Sequence, residues 1–490
     1  MQNKNERFIY DCYYTEVIKE VILYVTYCGN KKIQKMKDES LIHTNLRIDP
    51  DKSYILFAGN IRDSNTTIFL EKMLSQRYHK PVEIINILPN MPPPHMDGNF
   101  IVINRELAEH IATNSGNYYL PLDHPDINKE VSESPYIKDI TNKILENQPD
   151  LFINLFKNSP KMTLPQKDER IMTISPSSGL CTYFDNKLNQ RVIMEQLGIP
   201  VPKGQIVKSY DELINAYKEN FRESAFVTCQ NGSGGNGTEK ISSLDEILSS
   251  EKIKGKKQFI ISELLDLASS PSTLGIIANE DEVMVSSITD QIMDGVDYKG
   301  TLYPSSAGKE NIRKMKEYTE NIGKYLGSKG YKGFFGIDFM VDKDDNLYFT
   351  EINPRKMGST PESILAYKTE NPALPALSEL EFNAVTRGTF NQDISEYQTP
   401  EIWWGVRIIK AKKGQKTTKY FPRSKTGKSI FQNSGDTILD HSGKDIEYLG
   451  EGRLARTVYA INNSDFHSDK RKAIISKIEQ QKNMIESSLR

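Results

Sequence analysis

The stretch Gly333 to Ser363, GFFGIDFMVDKDDNLYFTEINPRKMGSTPES, brings carboxylate, amide and guanidinium side chains together. Runs rich in aromatic and β-branched residues flank Asp342-Lys343-Asp344-Asp345-Asn346, which supplies turn chemistry, so the stretch reads as strand, tight connection, strand. With the turn centred between Asp344 and Asp345, Asp338 opposes Glu351 and Gly336 opposes Asn353 on one side of the pleat. Side chains opposed in this way start roughly 4.5–5.5 Å apart at Cβ. The other side collects Phe335, Ile337, Phe339, Val341, Tyr348, Thr350 and Ile352, which suits burial. Two carboxylates so close repel unless a cation lies between them, and oxygen ligands in an open arrangement suit magnesium bridging substrate phosphates. The plainer reading, two exposed strand carboxylates, weakens once Asn353 and Arg355 are added. Calcium is the rival metal, since Asp342, Asp344 and Asn346 imitate the start of an EF-hand loop. Leu347 at the obligatory glycine position, Asn353 at the final glutamate position and flanking strands argue against it.

The remaining chain must hold that hairpin in place. At 490 residues it accommodates about three domains. A net charge of −2 from 63 basic and 65 acidic residues leaves no global footprint for nucleic acid or membrane, so partners must be sought locally. Cys12, Cys28, Cys181 and Cys229 match neither a disulfide framework nor zinc spacing, which points to a reducing cytoplasm. The longest early apolar run, Val21 to Cys28, is too short to span a bilayer, and neither a signal peptide nor an anchor is expected.

After an irregular N-terminal extension over residues 1–50, a strand-helix-strand rhythm follows. Strands are expected at Tyr54 to Ala58, Val82 to Leu88, Phe100 to Asn104, Asp150 to Phe156 and Ile171 to Ser175, with a helix from Thr66 to Arg77. This predicts a parallel α/β domain over residues 51–180. Gly59-Asn60-Ile61 lacks further glycines and reads as punctuation rather than a dinucleotide loop. A second unit over residues 181–390 opens with a helix after Asp185-Asn186-Lys187 that ends at Gly198, and contains a strand at Lys257 to Leu265 and an amphipathic helix from Ala307 to Gly327. Residues 391–490 predict a small β-rich domain with a closing helix from Ser468. Between Glu401 and Asp436 that domain has no acid, while Lys410, Lys412, Lys413, Lys416, Lys419, Arg423, Lys425 and Lys428 accumulate beside Trp403 and Trp404. Such a run is more often a solvated hairpin than a binding surface, and its functional reading is an acidic substrate or carrier protein.

The second chemical motif is Asn231-Gly232-Ser233-Gly234-Gly235-Asn236-Gly237 after the strand Ala225 to Cys229. Its glycines let successive backbone N–H groups turn toward an anion, with the Ser233 hydroxyl as an additional donor. Alone this is equally a flexible hairpin tip; followed by the acidic hairpin it gains weight. In this order of parts, from Asp185-Asn186-Lys187 through Gly198-Ile199-Pro200-Val201-Pro202, the glycine loop and Ser262-Glu263-Leu264-Leu265 to Gly336-Ile337-Asp338 and Glu351-Ile352-Asn353-Pro354-Arg355, the sequence resembles the ATP-grasp superfamily over about residues 180–385. Within it, Lys356 to Glu362, Asp290 to Gly295 and the preceding α/β domain resemble the peptide ligases that carry a pre-ATP-grasp domain.

The resemblance implies an ATP-grasp fold of two α+β subdomains clasping ATP, preceded by the parallel α/β domain and followed by the β-rich one. It implies two magnesium ions, with manganese as the alternative, one held by Asp338 and Glu351 and the second by Glu351 and Asn353. Arg355 would flank the transferred phosphoryl group and Lys187 would reach the ATP phosphates. Gly232, Ser233, Gly234, Gly235 and Gly237 would close over those phosphates, while Glu263, Leu264, Leu265 and Asp266 would meet adenine and ribose. The sequence departs from the superfamily where Thr228 and Cys229 stand in place of a second lysine on the strand before the glycine loop.

The activity implied is ATP-dependent carboxylate-amine ligation through an acyl phosphate, with small-molecule or peptide substrates and, by analogy, a homodimer. Two alternatives accompany it: loading of an amino acid onto a carrier-protein thiol, motivated by residues 403–428, and a nucleotide-binding scaffold without turnover, motivated by Thr228. Arg62, Asp63, Asp290, Asp294, Tyr298 and Arg407 are candidates for the substrate pockets, against ordinary surface roles.

Overall fold

A computed structural model describes residues 41–43, 46–92, 98–230, 237–421, 427–439, 441–462 and 469–490. Most of the N-terminal extension, Gly232, Ser233, Gly234 and Gly235 of the glycine loop, and Arg423 and Lys425 of the basic run lie outside these residues. Among the described residues no helix is long and apolar enough to cross a membrane.

Continuous apolar runs build the first sheet, because parallel strands are covered on both faces. Its order is Leu41–His43, Asn99–Ile103, Val82–Leu88, Ser53–Ala58, Leu151–Leu155, Ile171–Ile174, parallel except for the first pair. Every residue of Ser53–Ala58 is buried. Tyr54, Leu56 and Ala58 face one core and Ile55 faces another, which also receives Phe382 from the helix Leu377–Arg387. The helix expected from Thr66 to Arg77 starts at Leu70 and runs to Tyr78, with a separate 3-10 turn at Ile61–Thr66 before it.

A four-stranded antiparallel sheet follows, in the order Thr238–Ile241, Ala225–Cys229, Phe259–Ser262, Gly204–Val207. Strict alternation divides it: Val227, Cys229, Ile241, Phe259 and Ile261 enter a core, leaving Phe226, Thr228, Lys240, Ile260 and Ser262 on the other face. The strand expected to run to Leu265 stops at Ser262.

The third sheet has nine strands and includes the opening hairpin, Gly333–Asp342 paired with Leu347–Asn353. The hairpin's apolar face packs with the helix Lys309–Ser328 in one core containing Ile337, Phe339, Val341, Ile352, Met315 and Ile322. Trp403–Ala411, Gly452–Ile461 and Gly435–Ile438 continue this same sheet through pairing of Trp403–Ala411 with Asp297–Tyr303. Trp404 is 1 % exposed and stacks on Tyr303, so strand alternation places it in a core and not beside the exposed lysines. The closing helix, Lys470–Glu486, begins after Asp469, whose side chain accepts from the Lys472 N–H at 2.9 Å.

Candidate active site

The hairpin turn has three central residues rather than two. The Asp342 N–H donates to the Asn346 carbonyl at 3.1 Å, and Asp345 takes the left-handed conformation, φ +63°. Pairing near the turn is therefore shifted by one, with Phe339 opposite Phe349 and Val341 opposite Leu347. A bulge at Thr350 cancels the shift, and beyond it Asp338 faces Glu351 and Gly336 faces Asn353 as expected. The Thr350 hydroxyl donates to the Asp338 carbonyl at 2.9 Å, pinning the bulge beside the acidic pair.

Asp338 accepts from Gln291 Nε2 and from Asn353 Nδ2, both at 2.8 Å. Asn353 Oδ1 accepts from Arg355 Nη2 at 2.7 Å, so the amide links the acid to the guanidinium. Lys187 Nζ lies 3.7 Å from Glu351 Oε2. Burial raises the Asp338 carboxyl above its ordinary range, against hydrogen bonds from Ser272 and Asn353. Burial raises Glu351 as well; Lys187 opposes that rise and Asp338 adds to it. Two carboxylates that burial holds above their usual range fit a hard divalent cation, which would favour both ionised forms; Asn353, whose oxygen here accepts from Arg355, would join them by turning its amide.

Helix chemistry places Lys187. Asn186 caps the helix Lys187–Leu197, accepting from the N–H groups of Leu188 at 3.0 Å and Asn189 at 3.4 Å. Gly198 terminates it in the left-handed conformation, φ +66°. The Lys187 N–H also donates to the Gln230 carbonyl at 3.1 Å, tying the helix start to the chain entering the glycine loop. At the loop's far end Gly237, φ +79°, accepts from the Cys229 N–H at 2.7 Å, closing the base of the hairpin.

Between the four-stranded sheet and the acidic hairpin lies a cavity of about 470 Å³, within the usual range for a small-molecule site. Lys187, Glu263, Leu264, Leu265, Asp338 and Glu351 line it. Asp266 is not part of this wall: it is exposed and pairs with Lys343 at 2.6 Å. Glu263 is half-buried and already engaged, its carboxylate accepting from the Lys203 N–H at 2.7 Å. Thr228 lines the cavity, and so does Lys240 from the neighbouring strand, a cation that the sequence reading did not single out. Its signal was the alternation after the glycine loop, which puts Thr238 and Lys240 on the face that Thr228 occupies.

The loop after Arg355 folds back over the hairpin because Gly336 has no side chain: a Cβ there would overlap Met357 Sδ. Gly336→Ala is expected to displace Met357 and to cost about 1–3 kcal/mol by overpacking, read as a lower denaturant midpoint. Of the remaining candidates, Asp290 is buried and accepts from Ser306 N–H at 2.8 Å and Arg471 Nη2 at 2.6 Å, a structural knot. Arg407 pairs with Glu479 of the closing helix at 2.9 Å. Asp294 stands on an exposed hairpin end, while the Tyr298 hydroxyl shares a hydrogen bond of 2.6 Å with Thr301.

Residues 184–359 match the family described as the ATP-grasp domain, so this part of the chain is an ATP-grasp domain. The fold agrees: a biotin carboxylase in complex with β,γ-ATP from Campylobacter jejuni superposes with a TM-score of 0.61 at 14 % identity, covering 89 % of this chain and 91 % of that one. Among curated relatives, the [butirosin acyl-carrier protein]–L-glutamate ligase of Niallia circulans is 26 % identical over 226 residues, 43 % of this chain and 53 % of the relative. The L-propargylglycine–L-glutamate ligase of Streptantibioticus cattleyicolor is 34 % identical over 110 residues, 22 % of each chain. The chain thus spans about half the length of the first relative and less of the second.

Proposed function

We propose that this protein is an ATP-dependent carboxylate-amine ligase. The observation that carries this reading is a cleft lined by Asp338 and Glu351 together with Lys187, Lys240 and Thr228, with Asn353 and Arg355 hydrogen-bonded in a row from Asp338. The two ligases among the relatives support it. Asp338, Glu351 and Asn353 would hold magnesium, which when bound offsets phosphate charge. Lys187 and Lys240 would attract the ATP phosphates, Lys240 supplying the cation that Thr228 does not. Arg355, held by Asn353, would face the charge that develops on the transferred phosphoryl group.

In the first step a substrate carboxylate oxygen bonds to the γ-phosphorus while the bond to ADP breaks. In the second the amine nitrogen bonds to the acyl carbon. The carbon–oxygen bond to phosphate breaks, phosphate leaves with the electron pair, and the amine proton passes to phosphate or solvent. Incubation with ATP, magnesium and a panel of amino-acid pairs should release ADP and phosphate only with a matched pair. Release under no pairing, with nucleotide still bound, would overturn the reading. Lys240→Ala is expected to raise the KM for MgATP by roughly tenfold, the value of one charged contact, while kcat changes less.

A carrier-protein thiol is the alternative acceptor, since the Niallia relative is named for a carrier protein. Lys412 and Lys413 are exposed near the end of Trp403–Ala411. Reversing both charges should then abolish the mass gain of a phosphopantetheinylated carrier.

A further inference from the structure

The loop that carries Arg355 rests on the first domain. The Lys356 N–H donates to the Phe156 carbonyl at 3.3 Å, and the Lys356 ammonium donates to the Leu155 carbonyl at 2.9 Å and to Asn154 Oδ1 at 3.0 Å. These acceptors stand at the end of the strand Leu151–Leu155 and just beyond it. Arg355 itself donates through Nη1 to the Lys356 carbonyl at 3.0 Å and through Nη2 to Asn353 Oδ1 at 2.7 Å. Both acceptors are neutral, so neither offsets the guanidinium charge. Both also lie within two residues of Arg355, so they fix its rotamer but not its place against the first domain.

An aromatic contact supplies that place. Arg355 Cζ lies 5.5 Å from the centre of the Phe156 ring, within the distance at which the negative face of a ring attracts a cation. Phe156 is 6 % exposed, and this attraction is larger where water is excluded.

The ring is held independently of Arg355. His124 stacks on it with centres 4.5 Å apart and planes 20° from parallel. His124 opens the helix His124–Glu133, which Asp123 caps by accepting from the Asp126 N–H at 2.9 Å and whose Ile127 and Val131 enter the first domain's core. Burial pushes the imidazole down to about 3, against Asp63 and with Arg62, Arg355 and Lys157 adding to the fall, so the stacked group brings no competing charge at neutral pH. Arg62 also approaches the ring, its Cζ 4.8 Å from the centre, but its charge is offset by an ion pair with the fully buried Asp63. Arg62 and Asp63, candidates for a substrate pocket in the sequence, thus pair with each other beside Phe156.

We infer that Phe156 is a positioning residue for the reaction: its ring, supplied by the first domain, holds the Arg355 guanidinium where the transferred phosphoryl group develops charge. The role given to Arg355 rests on the ligase reading, whereas the ring contact does not.

Fluorination of the ring separates this role from mere filling of volume. Phenylalanines carrying one, two and three ring fluorines at position 156 nearly keep the shape of the side chain while draining the negative face of the ring stepwise. The kcat for ADP release should fall with each fluorine, to about tenfold lower at the third, the order of one buried cation–ring contact. The KM for MgATP and the thermal midpoint should stay near those of the natural protein. Phe156→Leu should be at least as slow as the most fluorinated form. A kcat that stays level along the series, or a fall in kcat matched by a fall in the thermal midpoint, would overturn the inference.

A second measurement needs no turnover. The Nε–H resonance of Arg355, identified by its loss in Arg355→Lys, should be displaced by the ring current of Phe156 and should return toward the position of exposed arginines in Phe156→Leu. A resonance that does not move between the natural protein and Phe156→Leu removes the contact and the inference with it. A resonance that moves, in a protein that releases no ADP with any amino-acid pair, would instead overturn the ligase reading and leave the ring contact standing.

Discussion

Glu351→Gln is expected to lower magnesium-dependent ADP release by about 10²- to 10³-fold, the loss typical when one preorganised charge-stabilising group leaves an active site. The amide keeps the shape of the side chain between buried neighbours, so the change is one of charge. It leaves Asp338 as the single carboxylate of the proposed ligand set and removes the ionic partner that lies 3.7 Å from Lys187. The metal-free fold should not suffer. Burial already raises the Glu351 carboxyl, and the neighbouring Asp338 adds to that rise, so a neutral amide relieves both costs. Two measurements follow: ADP release in magnesium, and the thermal midpoint with and without magnesium and an ATP analogue. The variant should melt no lower than the natural protein alone and should gain less from the added ligands. ADP release within tenfold of the natural rate would remove Glu351 from the ligand set.

Why the acidic face was legible, and its surroundings were not, follows from where each signal lies in the chain. Asp338 opposite Glu351 needs only period-two alternation and a turn between them. The turn proved to be one residue longer than expected, and the Thr350 bulge restored the register, so two local departures cancelled at the site. The helix that carries Lys187 was readable in a short window, from Asp185-Asn186-Lys187 to Gly198, while the phosphate role of Lys187 came from the ATP-grasp resemblance. Lys240 was one step harder: its relation to Thr228 requires pairing across the glycine loop. The setting of Arg355 had no local signature, since His124, Phe156 and Arg355 meet only when three distant segments pack. The continuity of the third sheet was hidden for the same reason, as Asp297–Tyr303 pairs with Trp403–Ala411 far along the chain. Trp404 looked like part of a basic surface because lysines follow it, yet strand alternation sends it into a core against Tyr303 and Phe431.

Lys356→Met is expected to destabilise the protein by about 3–5 kcal/mol, the usual loss when one partner of a buried ion pair is removed. Lys356 and Glu381 have side chains only 2 % and 1 % exposed and meet at 2.7 Å. The ammonium also donates to Asn154 Oδ1 at 3.0 Å and to the Leu155 carbonyl at 2.9 Å, so it fastens the loop after Arg355 to the end of a strand in the first domain. Burial raises the Glu381 carboxyl; Lys356 is the main group opposing that rise, and a hydrogen bond from the Phe334 backbone adds to the opposition. Without the lysine the folded protein holds the Glu381 proton more tightly than the unfolded chain does. The variant's stability is then greatest below the ordinary glutamate range near 4.5 and falls as pH rises through the raised value. Denaturant midpoints at pH 5 and pH 8 should therefore differ more in the variant than in the natural protein. Adding Glu381→Leu should return most of the stability, because an apolar pair of similar volume replaces a buried ion pair at little or no cost. If the pair serves only the fold, the double variant also recovers ADP release. If it holds Arg355 against Phe156, the double variant is stable and still slow, with kcat reduced and the KM for ATP little changed, since Lys187 and Lys240 stand on other elements. The second outcome is expected, because Lys356 is the residue next to Arg355 and its backbone N–H donates to the Phe156 carbonyl at 3.3 Å.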